Sequence, residues 1–285
     1  MSRPAVSPEP SRTHGRMHGH LRGPLRLPLL PVLIAIGLAW GALWAWAASP
    51  YGGYLRHESW LAAGPLAGLC RAVPGGGVLV PALLTTGGWV VMTAAMMLPT
   101  TLPLLAMFDR VSAARADHGR LMGLLVLGYL AVWSAFGVLA HGVHAAAGAL
   151  FERVPALALD APVFGAAIVA GAGAFQFSAL KYRCLQRCRS PFGFIARHWR
   201  GHSHMRHAFA LGVHHGLFCV GCCWALMLLM FAVGAGSLAW MLALAAVMAL
   251  EKNVSWGARL RAPLGWILLA WSGLLIMGHV HPVPS

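Results

Sequence analysis

Acidic side chains are nearly missing from this chain. Glu9, Glu58, Asp109, Asp117, Glu152, Asp160 and Glu251 are the only seven in 285 residues. Charged residues of every kind make up 10% of it, less than half of the roughly 25% found in soluble domains. So few charges could not solvate a globular surface, which excludes an ordinary cytosolic enzyme. The 59% apolar content equally excludes a disordered chain. The apolar stretches also lack paired carboxylates, a phosphate-binding loop and a Ser-His-Asp set, so no catalytic constellation is visible. Glu251 is the sole acid there that could serve a proton relay. A net charge of +14 raises the question of nucleic acid. The Lys and Arg residues, however, fall in clusters between apolar runs, a pattern set by membrane topology.

What is present is a series of long apolar runs. A bilayer core about 30 Å thick needs roughly 20 such residues per helix. The runs predict an all-α, polytopic transmembrane bundle of about seven spans, at 28–48, 86–108, 121–150, 160–180, 207–232, 237–251 and 262–279. The fifth and sixth are divided at Gly234, Gly236 and Ser237. Eighteen of the 21 basic residues fall in the segments that seven crossings place on one side. By the positive-inside rule the N-terminus is then cytoplasmic, as in a bacterial inner membrane. Residues 1–26 read as a disordered basic and His-containing tail, 27–285 as one transmembrane domain, and 49–85 as an irregular outward loop. Ala45-Trp46-Ala47 resembles a signal-peptidase site. The first run is nevertheless long enough to span, and a retained helix is the favoured reading.

The informative residues are those that lipid does not explain. Trp89-Val-Val-Met92-Thr-Ala-Ala-Met96-Met97-Leu-Pro99 places Met92 and Met96 four apart on one helix face, with Met97 beside them. Pro99 and Pro103 deprive the carbonyls of Ala95 and Pro99 of their helical donors, and such groups need a partner from a neighbouring helix, water or a ligand. In the fifth run, Cys219, Cys222 and Cys223 stand at i, i+3 and i+4, and Met227 follows Cys223 by four. Gly216 and Gly221 let a second helix come close. Three thiols and a thioether on one stripe suit Cu(I) better than zinc or iron–sulfur. Packing is the competing explanation, since Met and free Cys are also ordinary core residues.

Cys184 and Cys188 follow the fourth run. If that run continues as helix they share a face at the cytoplasmic edge, where Lys181, Arg187 and Arg189 favour the metal-binding thiolate. At 1.5 Å per residue, Met96 lies about 15 Å below the outer edge of its span and Cys222 about 22 Å above the inner edge of its own. Cys184 and Cys188 then lie too deep to join them and form a second candidate site. His141 and His144, near the outer end of span three, and His214 and His215, before the Cys stripe, are weaker metal candidates. His198, His202, His204 and His207 go with the basic loop. Glu251 pairs most simply with its neighbour Lys252 at the membrane interface.

These motifs resemble a bacterial family of metal-binding integral membrane proteins of unknown function, some of whose members are described as copper chaperones. Trp89, Met92, Ala95, Met96, Met97 and Pro99 match one element of its pattern. Lys181, Cys184, Leu185, Cys188 and Arg189 match a second. Gly221 to Trp224, with Cys219 and Met227, match a third, and Glu251-Lys252 a fourth. The resemblance covers roughly residues 86–252 and implies metal binding, without implying a reaction. The expectation is a non-catalytic protein in the lipid bilayer that binds Cu(I) and serves a copper-dependent membrane enzyme or a soluble copper carrier. The alternatives are a metal-free structural subunit of a membrane complex and a thiol–disulfide oxidoreductase.

Overall fold

The fold is that of a computed structural model, which describes residues 29–49, 79–153, 161–198, 204–233 and 237–280. The tail at 1–26 and most of the loop at 49–85 lie outside them. Regular structure among the described residues is entirely helical. In chain order the helices are α1 (Leu30–Ala48), α2 (Leu79–Ser112), α3 (His118–Arg153), α4 (Ala161–Phe175), α5 (Ala179–Cys188), α6 (Pro191–His198), α7 (His204–Val233), α8 (Leu238–Asn253) and α9 (Arg261–Val280), with a 3-10 turn at Gly257–Leu260.

Five of these segments are long and apolar enough to cross a membrane: Leu30–Ala48, Thr86–Ser112, His118–Val143, His204–Met230 and Gly257–Gly278. A sixth is broken, its halves Val163–Phe175 and Ala179–Cys188 meeting at a 65° bend. The remaining expected span, the sixth in chain order at 237–251, corresponds to α8, whose 16 residues rise only about 24 Å, short of a bilayer core.

The break between α4 and α5 is local chemistry. Ser178 adopts extended backbone angles, and its hydroxyl accepts from the Lys181 amide at 3.1 Å. That is an N-cap, which begins a new helix instead of continuing the old one. The condition for placing Cys184 and Cys188 at the cytoplasmic edge, that span four continues as helix, is therefore not met: α5 turns away and packs along α7.

Helix α2 passes through Pro99 and Pro103 without interruption. The Ala95 carbonyl, left without its helical donor by Pro99, accepts from Trp40 Nε1 of α1 at 3.0 Å. This neighbour-helix donor is one of the solutions the proline spacing demanded. Among the described residues α3 and α7 share the most extensive helix contact, and Gly128, Gly212 and Gly216 remove side chains that would hold their backbones apart. A β-carbon on Gly128 would collide with the Phe209 carbonyl, and one on Gly212 with that of Leu125.

The turn from α2 to α3 is closed by a Ser-His-Asp cluster. His118 lies 2.8 Å from Ser112 Oγ through Nδ1 and 3.1 Å from Asp109 through Nε2. Ser112 is fully buried and bonds its own helix at Phe108 O, 2.6 Å away. It is thus a cap on the turn, inaccessible to a substrate.

Candidate metal centre

One hydrophobic cluster contains almost every sulfur atom singled out in the sequence. Met92, Met96 and Met97 of α2, Cys184 of α5, and Cys219, Cys222, Cys223 and Met227 of α7 are all buried in it, with Cys188 packed against it. Spans two and five do face each other through sulfur: Cys223 Sγ lies 3.9 Å from Met97 Sδ. Cys188 Sγ lies 3.9 Å from Cys222 Sγ. The expected separation into a mid-membrane site and an inner-rim site is therefore overturned for Cys188. The 65° bend carries α5 back against α7, so depth counted along one straight helix does not apply. Gly221 permits this approach, because a β-carbon there would stand 2.6 Å from Cys184 Sγ.

The five described cysteines are free thiols. Cys222 and Cys223 donate to the Cys219 carbonyl at 3.1 and 2.9 Å, the back-bonding by which a helix satisfies its own polar side chains. Among the described residues, no three His, Cys, Asp or Glu side chains are gathered closely enough to hold a metal ion as they stand. What exists is sulfur in pairs. Two sulfurs 3.9 Å apart, each at a metal–thiolate length of about 2.3 Å, would subtend an angle of about 115°, which suits a low-coordinate soft ion. Recruiting a third ligand requires the thiols to rotate off the Cys219 carbonyl.

The charged residues are arranged differently from the sequence expectation. Glu251 does not pair with Lys252. It accepts from Lys181 Nζ at 3.0 and 2.8 Å, and both partners are buried. Arg189 donates to the carbonyls of Glu251 and Ser255 on the neighbouring segment. Lys181 and Arg189 therefore fasten α5 to α8 and are not the cations beside the thiols. That place belongs to Lys252, whose Nζ lies 2.9 Å from Cys219 Sγ, 3.7 Å from Cys223 Sγ and 3.3 Å from Thr100 Oγ1. Tyr129 OH stands 3.0 Å from Cys219 Sγ and 3.3 Å from Met97 O.

The histidines divide. His215 is buried, its ring centre 5.9 Å from that of Tyr129, four residues ahead of Cys219. His214 is exposed. His141 packs its ring 5.9 Å from Trp89, apart from the Cys stripe. The side chain of His144 lies outside the described residues. Two residues that sequence reasoning passed over, Tyr129 and Met248, belong to the cluster, and Lys252, read from sequence as the partner of Glu251, joins them. The signal for Met248 was its four-residue spacing from Lys252, which puts both on one face of α8.

Residues 86–275, two thirds of the chain, match the family described as a copper chaperone, PpoB2. The chain belongs to this family. The matched segment runs from the first turns of α2 into α9 and contains every sulfur ligand candidate named above. No curated protein and no solved structure matches the chain. The donor chemistry agrees with the family description: thiols and thioethers in a dry interior are soft ligands of the kind that select Cu(I).

Proposed function

We propose that this copper chaperone family member binds Cu(I) as cargo between α2, α5 and α7 and passes it to a copper-dependent membrane enzyme or a soluble copper carrier. The observation that carries the reading is the approach of Cys223 to Met97 and of Cys188 to Cys222 inside one buried cluster. Cys219, Cys222 and Cys223 are the thiol ligands, Met97 is the thioether within reach, and Met92, Met96 and Met227 extend the sulfur lining along the bundle. Two thiolates and one Cu(I) leave one negative charge, and the Lys252 ammonium offsets it. His215 stands one turn toward the start of α7 and would be the next ligand on that side. The role is non-catalytic.

The topology belongs to the same proposal. Seven crossings, with α8 as the short one, place the basic clusters on one face and the N-terminus in the cytoplasm of a bacterial inner membrane. Lys181 and Lys252, which sequence grouping assigned to the basic loops, are buried and do not contribute to that rule. Purified, reduced protein is expected to hold about one Cu(I) per chain. A Cys219/Cys222/Cys223→Ser variant that retains the fold should lose it. Equal copper in both would refute the site.

A second reading is favoured by one distance, the 3.9 Å between Cys188 and Cys222. Oxidising that pair would form one S–S bond and release two protons and two electrons to an acceptor, as in a thiol–disulfide oxidoreductase. Thiol labelling under mild oxidant decides: full labelling of both cysteines removes this reading, and their selective joint protection supports it.

A further inference from the structure

Soft donors favour Cu(I), but thiolates also hold zinc, so the sulfur set leaves part of the selectivity to its surroundings. Lys252 is buried, and its three contacts are two sulfurs and one hydroxyl, which matches the three donors of an ammonium. Among the described residues no carboxylate lies within ion-pair distance of it. The adjacent Glu251 is turned to Lys181, which it accepts through both oxygens. A buried ammonium without a carboxylate is costly, and here the nearby groups able to carry the opposing charge are the thiols.

We propose that Lys252 is the charge-selectivity residue of the sulfur site, admitting a monovalent soft ion and penalising a divalent one. The proposal rests on the copper-binding reading given above. Its logic applies at one fixed set of bound thiolates. There the repulsion between ammonium and metal grows with the charge of the metal, so a divalent ion meets twice the penalty of a monovalent one. At a separation of about 5 Å and an effective dielectric near 20, the extra unit of charge corresponds to a factor of roughly 250 in relative affinity. The ammonium that steadies the thiols before loading thus also sets the permitted charge of the cargo.

The test uses the full chain in detergent, reduced and anaerobic, with Ag(I) as a redox-inert monovalent probe and Cd(II) as a soft divalent one. The measured quantity is the ratio of Cd(II) to Ag(I) dissociation constants. Lys252→Gln and Lys252→Met should lower the ratio at least about tenfold, and Lys252→Arg should keep it near that of the unaltered chain. An unchanged ratio in a folded neutral variant that still binds Ag(I) overturns the proposal and leaves the copper reading intact. Failure of the unaltered chain to bind Ag(I) overturns the copper reading, and the proposal falls with it. Should the neutral variants not fold, the unaltered chain is compared with dithiothreitol, a dithiol lacking a neighbouring cation. A ratio clearly above that of dithiothreitol supports the proposal, and a ratio at or below it overturns it.

Discussion

Glu251→Gln removes one negative charge from the most deeply buried ion pair described in this protein. Lys181 is fully buried and Glu251 is 2% exposed, so water cannot take over the lost interaction. The two hydrogen bonds from Lys181 Nζ, at 3.0 and 2.8 Å, become at best one bond to a neutral amide oxygen, and the ammonium keeps its desolvation cost. Breaking a buried pair from one side destabilises by about 3–5 kcal/mol. At roughly 2–4 °C per kcal/mol for a chain of this order of size, the melting temperature should fall by roughly 6–20 °C. Thermal unfolding in detergent, followed by tryptophan fluorescence, measures it. The companion variant Lys181→Met/Glu251→Leu has no charge left to strand and should recover much of the loss. A Glu251→Gln variant within about 0.5 kcal/mol of the unaltered chain, or a double variant no more stable than the single one, would refute the view that this pair pins α5 to α8.

Gly221→Val would place a branched side chain where even a β-carbon would stand 2.6 Å from Cys184 Sγ. It should push α5 off α7, speed thiol labelling of Cys188, and lower copper capacity; labelling and copper content unchanged would show that the close approach is dispensable. Trp40→Phe leaves the Ala95 carbonyl without its donor. It should cost about 1 kcal/mol, read as a small loss of thermal stability without a change in copper stoichiometry. Gly212→Leu should separate α3 from α7 by collision with the Leu125 carbonyl and leave little folded protein, which size-exclusion chromatography would report.

The sulfur stripes were legible because helical spacing is enough to say which residues share a face. Met92 and Met96, and Cys219, Cys223 and Met227, are four apart, and the structure buries all five in one cluster. Proline chemistry was equally legible: the position of Pro99 identifies the deprived carbonyl as that of Ala95, whereas its donor, Trp40, comes from a helix 55 residues away. The position of Cys188 was not legible. The bend depends on Ser178 capping α5, and one serine between two helix-forming stretches gives weak warning against a continuous helix. The charges misled for a different reason. Adjacent helical residues point about 100° apart, so Glu251 and Lys252 could not pair across one face, and their true partners lie 70 and 33 residues away. Three-dimensional closure decides such contacts, and no local pattern encodes it. The same holds for Tyr129, whose hydroxyl reaches Cys219 across 90 residues.

The central claim is that sulfur from separate helices closes on one ion. X-ray absorption at the copper edge, on the chain loaded with one equivalent of Cu(I), reads the ligand atoms directly. The account predicts a shell of sulfur at about 2.3 Å that loses scatterers in Cys222→Ser and in Cys223→Ser. A shell of nitrogen and oxygen, or a sulfur shell indifferent to both substitutions, would contradict it.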